Sequence, residues 1–514
     1  MRFAAPLAVA LMALTGTAYA APGDPWVAYV ANSTASRAVL MRVDPATGGL
    51  VEISRNGRQG DLFNHPYDVV AARDGSLLVV DMGAYATSAV HAADGAVIRV
   101  DPATGMQSLV SKGGRLVDPA GLALGPDGSV LVIENVGVAG APEVVRINPA
   151  TGAQTIVSSG DLLCYPFGIA VEPTGTLLVS DFGDVGGAEP VDCPQSFGQV
   201  VRVNPANGDQ SLLSDASGGF LRNPFGISVR SDGGVFVVNQ TGGAAAVMRV
   251  NPATGAQQAV SPNGAGDVFV TPQRISFTPD GDPIVSDFEL SDDEGGLVRV
   301  QLPSGAQSVV RQGDLFNNPL GVAVVTNRPP TAALAATPAL VPGGGQVSFD
   351  ASGSKDPEGL RLRYEWDLDG NGTFEASSGT VAVAAKTYAG SGTLTARVRV
   401  SDPHGATSTA GAAVSVDAIP PSISRFRVAR VRRRRAVFAY TLSEPSAVSV
   451  IVQRRVRRRW RPATTVSRLA PAGPGRLTTR RLRSGRYRAL ARALDAAGNR
   501  SPQRRTALRI RRRR

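Results

Sequence analysis

The phrase Val43-Asp44-Pro45-Ala46-Thr47-Gly48 recurs along the chain, and its recurrence constrains the fold more than any other feature. It returns as VDPATG ending at Gly105, INPATG at Gly152, VNPANG at Gly208, VNPATG at Gly255 and VQLPSG at Gly305, with spacings of 57, 47, 56, 47 and 50 residues. Asp or Asn before Pro, closed by Gly, is turn chemistry, because Pro fixes φ, the side-chain oxygen bonds the backbone and Gly accepts positive φ. Each turn follows a β-rich run such as AVIRV or QVVRV. A second phrase keeps step with it: PFGIAV at 166–171 leads through Glu-Pro-Thr-Gly to LLVSD at 177–181, with equivalent starts at Pro66, Pro119, Pro224, Pro272 and Pro319. Each repeat reads as strand a, turn, strand b, loop, strand c, turn, strand d. Four strands at a period near 50 residues predict a β-propeller blade.

Counting strands predicts how the ring closes. The b, c and d strands occur six times, beginning with Trp26–Asn32, and the a strands occur six times, from Pro66 to Pro319–Val325. The last a strand lacks a following b strand and the first b strand lacks a preceding a strand, so the two ends complete one mixed blade. Closure removes exposed sheet edge, which favours the ring. The expected fold class is all-β: a six-bladed β-propeller over residues 22–327, then two small β-sandwich domains over 328–417 and 418–514. The phrase P-x-G-[IVL]-[AS]-V, then DG-x-L-L-V-x-D, then RV-[DN] resembles the NHL repeat, and it is similar to the virginiamycin B lyase-like and gluconolactonase-like propellers. The resemblance covers all six blades and implies the fold. It implies no single activity, since these relatives include lactonases, lyases and binding scaffolds.

In this blade order the b–c and d–a loops emerge on one face, and the longest loops place the functional face there. The loops after Asp181 and Asp287 are acidic, with Asp184, Glu189 and Asp192 in one and Glu289, Asp292, Asp293 and Glu294 in the other. The b strands end on Asn32, Asp81, Glu134, Asp181, Asn239 and Asp287, all oxygen donors. Two readings are open: a ring holding Ca²⁺ or another divalent cation, or side chains that cap backbone N–H groups of their own loops. The resemblance to lactonases implies an acidic metal motif in an early blade, but blade two starts His65-Pro66-Tyr67-Asp68 and does not match it. The resemblance to lyases implies a His general acid/base, for which the propeller offers His65, on a d–a loop, and His91. Cys164 and Cys193, the only cysteines, fall in loops of one blade on one face and are expected to form a disulfide in an exported protein.

Beyond Arg328-Pro329-Pro330, alternating runs such as QVSFDAS, LRYEWDL and TARVRVSD predict an Ig-like sandwich. Tyr364-Glu365-Trp366-Asp367-Leu368-Asp369-Gly370-Asn371-Gly372 resembles the core motif of the PKD domain, and Asp350-Ala351-Ser352-Gly353-Ser354 and Val400-Ser401-Asp402-Pro403-His404-Gly405 resemble its flanks. That resemblance implies a spacer or adhesion unit. Asp367-x-Asp369-x-Asn371-Gly372 also looks like half a calcium loop, but its twelfth position is Ser378 where a bidentate Glu is required, so a hairpin turn is expected. After Pro420-Pro421 further strands look like a fibronectin- or Ig-like module, punctuated by Arg432–Arg435, Arg454–Arg459 and Arg511–Arg514.

Charge divides the chain. The total is +11, yet residues 418–514 carry 29 Arg against Glu444 and Asp495, a net of +27, while residues 1–417 sum to −16. Such asymmetry marks domains with separate partners. The basic end will attract polyanions in a salt-dependent way. Anionic cell-envelope polymers or a membrane surface are favoured over nucleic acid, because the segment matches none of the usual nucleic-acid modules and the chain opens as an exported protein does. Residues 1–20 have a charged start, a short apolar run and Ala18-Tyr19-Ala20, the form of a cleavable signal peptide. A hydrophobic content of 43% excludes a disordered chain, and two Cys with three His exclude a zinc-finger array. The expectation is an exported, non-enzymatic surface or matrix protein: a propeller binding a ligand on its loop face, a PKD spacer and a basic envelope-binding end. The alternative is a metal-dependent propeller hydrolase or lyase acting on a lactone or ester.

Overall fold

The computed structural model describes residues 23–34, 37–57, 61–83, 94–137, 140–183, 198–240, 246–261, 268–291, 294–313 and 315–511. The chain divides into two compact units: residues 1–329 with 356–361 and 402–406, and the remainder of 330–514.

The first unit contains the propeller. Five blades are consecutive four-stranded antiparallel sheets whose inner strands are Pro66–Ala71, Pro119–Leu124, Pro166–Val171, Pro224–Val229 and Pro272–Phe277. The remaining blade is mixed, with Pro319–Thr326 pairing Trp26–Thr34, followed by Arg37–Asp44 and Gly49–Arg55. Each inner strand contacts the inner strands of the blades on either side, and Pro319–Thr326 contacts both Pro272–Phe277 and Pro66–Ala71, so the ring closes. The second strands are buried from end to end, as in Leu77–Asp81, Val130–Glu134 and Leu177–Asp181. They lie between neighbours within the blade and between blades, which is why they read as unbroken apolar runs. The outermost strands, such as Gln107–Lys112, are partly exposed and mix polar with apolar residues.

The recurring glycine of the turn phrase has two structural duties. Gly152 has φ 73°, and a Cβ there would stand 2.6 Å from the Val110 carbonyl oxygen of the preceding blade. Gly105, Gly208, Gly255 and Gly305 meet the preceding blade in the same way, whereas Gly48, at the closing joint, has open space around it and serves the turn alone.

The second unit contains two sandwiches. In one, a sheet of Ala335–Thr337, Gly345–Asp350 and Val383–Tyr388 faces a five-stranded sheet that includes Arg363–Asp367, Gly392–Ser401 and Thr407–Asp417. Tyr364 and Trp366 are both in its core, with Phe349, Val398 and Val414. In the other, the sheet Ile423–Arg432, Arg435–Leu442, Gly473–Thr478 shares a core with the sheet Arg459–Ala470, Ser446–Val456, Gly485–Leu494, Arg504–Ile510. Phe438, Tyr487 and Val450 fill that core, while the arginines alternate outward.

Candidate functional site

The six oxygen donors of the b strands sit at equivalent places. Each lies opposite the proline that begins strand a: Asn32 with Pro319, Asp81 with Pro66, Glu134 with Pro119, Asp181 with Pro166, Asn239 with Pro224 and Asp287 with Pro272. Strands Trp26–Thr34 and Pro283–Ser291 run on past Asn32 and Asp287; the other four end at the predicted residue. Proline has no N–H, and the loop arriving at it leaves donors to be satisfied. The side chains opposite supply the acceptors. Asp181 accepts from the N–H groups of Cys164 (2.6 Å), Tyr165 (3.1 Å) and Gly183 (2.9 Å). Asp81 accepts from Asn64, His65 and Gly83, and Asp287 from Val270, Thr271 and Glu289. Glu134 accepts from Val117 and Asp118. Asn32 Oδ1 accepts from Asn318 N–H, and Asn239 Nδ2 donates to the Phe220 carbonyl.

Each of the six is therefore turned into its own d–a loop. Among the described residues, the carboxylate groups whose oxygens gather within 4.8 Å are Asp367, Asp369 and Glu375, and Asp417, Glu444 and Asp495; the six b-strand residues are in neither. Burial raises Asp81 and Asp181 to about 6 and Glu134 to about 9, despite the hydrogen bonds they accept, and it raises Asp287 as well.

The channel mouth carries a feature that the repeat phrase obscures. The register slips just after the proline that begins strand a, as between Pro66 and Asp68, Pro119 and Gly121 or Pro224 and Ile227, so the residue after the proline lies in a bulge. Three of these residues are aromatic and meet across the ring: Phe167 stacks on Phe225 at 4.2 Å, and Tyr67 lies 6.4 Å from Phe225. In the glycine position of the phrase, blades two and six carry Asp68 and Arg274 instead. Arg274 reaches over the channel: Nη2 donates to the Ala120 carbonyl at 2.8 Å, Nη1 to the Phe225 carbonyl at 3.3 Å, and Nε lies 3.4 Å from Asp68 Oδ2. That last contact is an ion pair rather than an aligned hydrogen bond. The guanidinium also faces the rings of Phe225 (4.7 Å) and Tyr67 (5.4 Å). Below it, the six inner strands line a cavity of about 350 Å³, apolar apart from Asp68, Arg274, Ser228 and Ser276.

His65 Nδ1 is hydrogen-bonded to the fully buried Ser33 hydroxyl at 2.7 Å, and burial lowers the imidazole to about 4, so it is neutral at pH 7. Cys164 is buried beside Asp181. Its expected partner Cys193, His91, the loop acids Asp184, Glu189, Asp192, Asp292 and Asp293, and residues 1–20 lie outside the described residues. Asp367 accepts from the N–H groups of Gly370 and Gly372, and Ser378 Oγ accepts from Trp366 Nε1 at 2.8 Å, the arrangement of a hairpin turn.

Two sets of residues escaped the sequence reading although their signals are in it. One is the Asp68–Arg274 exchange for glycine. The other is a Gln two residues after the turn glycine with a Ser six after it. Gln154 Nε2 donates to Ser111 Oγ of the preceding blade (2.9 Å), Gln154 Oε1 accepts from Arg115 N–H (2.7 Å), and Ser111 Oγ donates to the Gly152 carbonyl (2.9 Å). Gln107, Gln210, Gln257 and Gln307 join their blades to Ser54, Ser158, Ser214 and Ser261 in the same way. The closing joint has Leu50 and Arg311 at these positions, with Arg311 Nη1 3.4 Å from the Gly48 carbonyl oxygen.

In residues 418–514 the arrangement is reversed. Among the described residues, the ion pairs involve Lys386 and arginines of the first 417 positions, and none involves an arginine of this segment. The segment's two acids, Glu444 and Asp495, gather with Asp417.

No curated protein matches the chain. Among solved structures, a gluconolactonase of Xanthomonas campestris is 14% identical over 65% of this chain and 95% of its own, with a TM-score of 0.35. A periplasmic gluconolactonase of Pseudomonas aeruginosa is 17% identical over 58% of this chain and 99% of its own, with a TM-score of 0.40. At these scores nothing about activity passes to this chain. Residues 327–416 match the PKD domain family.

Proposed function

We propose that the chain is an exported binding protein of the cell surface or matrix. The propeller serves as a ligand-binding scaffold, the PKD segment as a spacer, and residues 418–514 hold anionic envelope polymers. The observation that carries this reading is the division of polar chemistry. In the propeller, five of the six candidate metal ligands accept hydrogen bonds from their own loops, and Asn239 donates to its loop. In residues 418–514, 29 Arg face two acids. A disulfide between Cys164 and Cys193 and removal of residues 1–20 belong to the same reading; an intact mass that lacks the leader and rises by two hydrogens on reduction is expected.

The test is retention of the full chain on immobilised heparin. Elution above physiological salt is expected, and elution below it overturns the basic-end assignment. The second reading is a metal-dependent lactone or ester hydrolase or lyase that uses the b-strand oxygens or His65, whose Nδ1 is engaged by buried Ser33. Hydrolysis of lactones by the full chain, lost in His65→Ala, would favour that second reading.

A further inference from the structure

Five guanidinium side chains from three separate segments surround one concavity on the C-terminal sandwich. Arg433 and Arg434 come from a hairpin tip, Arg481 from the connection before Gly485–Leu494, and Arg509 and Arg511 from the end of the chain; together they line a cavity of about 760 Å³. All five are exposed. Among the described residues, no carboxylate lines the cavity.

The backbone is fixed around this concavity. Arg432 pairs with Arg435, leaving Arg433 and Arg434 as a two-residue loop, and both have left-handed φ, 49° and 60°. That turn favours Asn-Gly, because a Cβ at positive φ costs roughly 1 kcal/mol or more per residue. Two arginines therefore occupy a tip that the turn geometry alone would give to other residues. The Leu482 N–H donates to the Arg434 carbonyl at 2.8 Å, which ties Arg481 to the same tip. Like charges also face each other across the ladders, Arg432 opposite Arg435 and Arg486 opposite Arg509, pairings that repel unless an anion lies over them.

We propose that this concavity is a binding site for clustered phosphates, of the condensed-phosphate or closely spaced phosphomonoester class, carried on a polyanion. The inference rests on the reading that residues 418–514 bind anions, and it names the site and the group. Guanidinium forks bind carboxylate and phosphate alike in pairs. A carboxylate presents its lone pairs in one plane, whereas a phosphate presents oxygens in tetrahedral directions and so suits forks arriving from three segments better. Five positive charges around one volume also match a dense anion better than the single charge of a diester. The concave shape fits a chain end or a cluster entering it, rather than the flat array of a bilayer surface.

The experiment is calorimetric titration of the full chain with tripolyphosphate, oligo-dT of equal charge, and polygalacturonate at physiological salt, with co-sedimentation on vesicles of phosphatidylglycerol, whose headgroup is a diester. Three variants accompany it: Arg433→Ala with Arg481→Ala, Arg481→Lys, and the distant control Arg461→Ala with Arg468→Ala. Tripolyphosphate should bind at one site at least tenfold more tightly than the other two polymers. The pocket pair should lose at least tenfold, Arg481→Lys should lose most of that despite keeping its charge, and the control should lose less than twofold. Wild-type binding that the pocket variants leave unchanged, or equal affinity for all three polymers, overturns the site while leaving the anion-binding reading in place. Binding to vesicles alone overturns the clustered-phosphate class. Failure to bind any of the anions overturns both.

Discussion

The propeller and the arginine-rich sandwich use polar residues in opposite ways. In the propeller, Asp181 accepts three backbone N–H groups, Gln154 bridges two blades, and Arg274 is enclosed by two carbonyls, a carboxylate and two aromatic rings. These groups answer needs created by the fold: loop donors at a proline, a joint between sheets, an open axis. In the sandwich the core is Phe438, Tyr487, Val450 and their neighbours, and it is complete without the arginines. The first region turns these polar groups inward, beside its apolar cores; the second carries its arginines outward. Net charge alone conceals this, because −16 over residues 1–417 and +27 over residues 418–514 merge into a single +11.

The largest expected difference lies at the channel. Arg274→Ala leaves Asp68 buried without its cation and should destabilise the propeller by about 3–5 kcal/mol in urea unfolding, whereas Arg274→Met with Asp68→Leu should recover most of the loss. A cost below about 1 kcal/mol would place Arg274 with the surface arginines and break the contrast.

Next come the loop acceptors. Asp181→Ala strands three donors and should cost about 2 kcal/mol. The pH dependence has a definite sign. Burial raises Asp81 and Asp181 from 3.8 to about 6, so between these values the folded chain holds protons that the unfolded chain has released. Their contribution to stability then falls as pH rises from about 4 to about 6. Asp81→Asn with Asp181→Asn should flatten this part of the Tm–pH profile; an unchanged slope would contradict the burial argument. His65, lowered to about 4, acts in the opposite sense between 4 and 6.5 and should be removed as His65→Gln in the same series.

A smaller effect sharpens the contrast within the ring. Gln154→Ala should cost about 1 kcal/mol, and Leu50→Gln with Arg311→Ser, which installs the missing bridge at the closing joint, should stabilise by a similar amount. Smallest of all, Arg461→Ala or Arg468→Ala should shift stability by less than about 0.5 kcal/mol, since both side chains are exposed and form no ion pair among the described residues.

Much of this was written locally in the chain. The Asp-Pro-x-x-Gly turns and Pro-x-Gly starts mark strand ends one by one, so blade count and mixed closure could be read directly. Local patterning also offered the loop-capping role of Asp81 and Asp181 beside the metal ring, but only the paired prolines show which donors they meet. Asp68 and Arg274 were legible as two departures from one glycine position, and Gln154 and Ser111 as a fixed offset from the turn glycine, once the repeats are aligned by column rather than by phrase. The arginine pocket was not legible: Arg433, Arg481 and Arg509 are brought together by sheet packing across stretches of sequence that carry no shared period.

Hydrogen exchange of the full chain with and without tripolyphosphate tests the division most directly. Protection confined to residues 431–435, 480–483 and 508–511, with none across the propeller strands between Trp26 and Thr326, is the predicted result. Protection spread over the propeller, or absent from the three arginine segments while tripolyphosphate is bound, would contradict it.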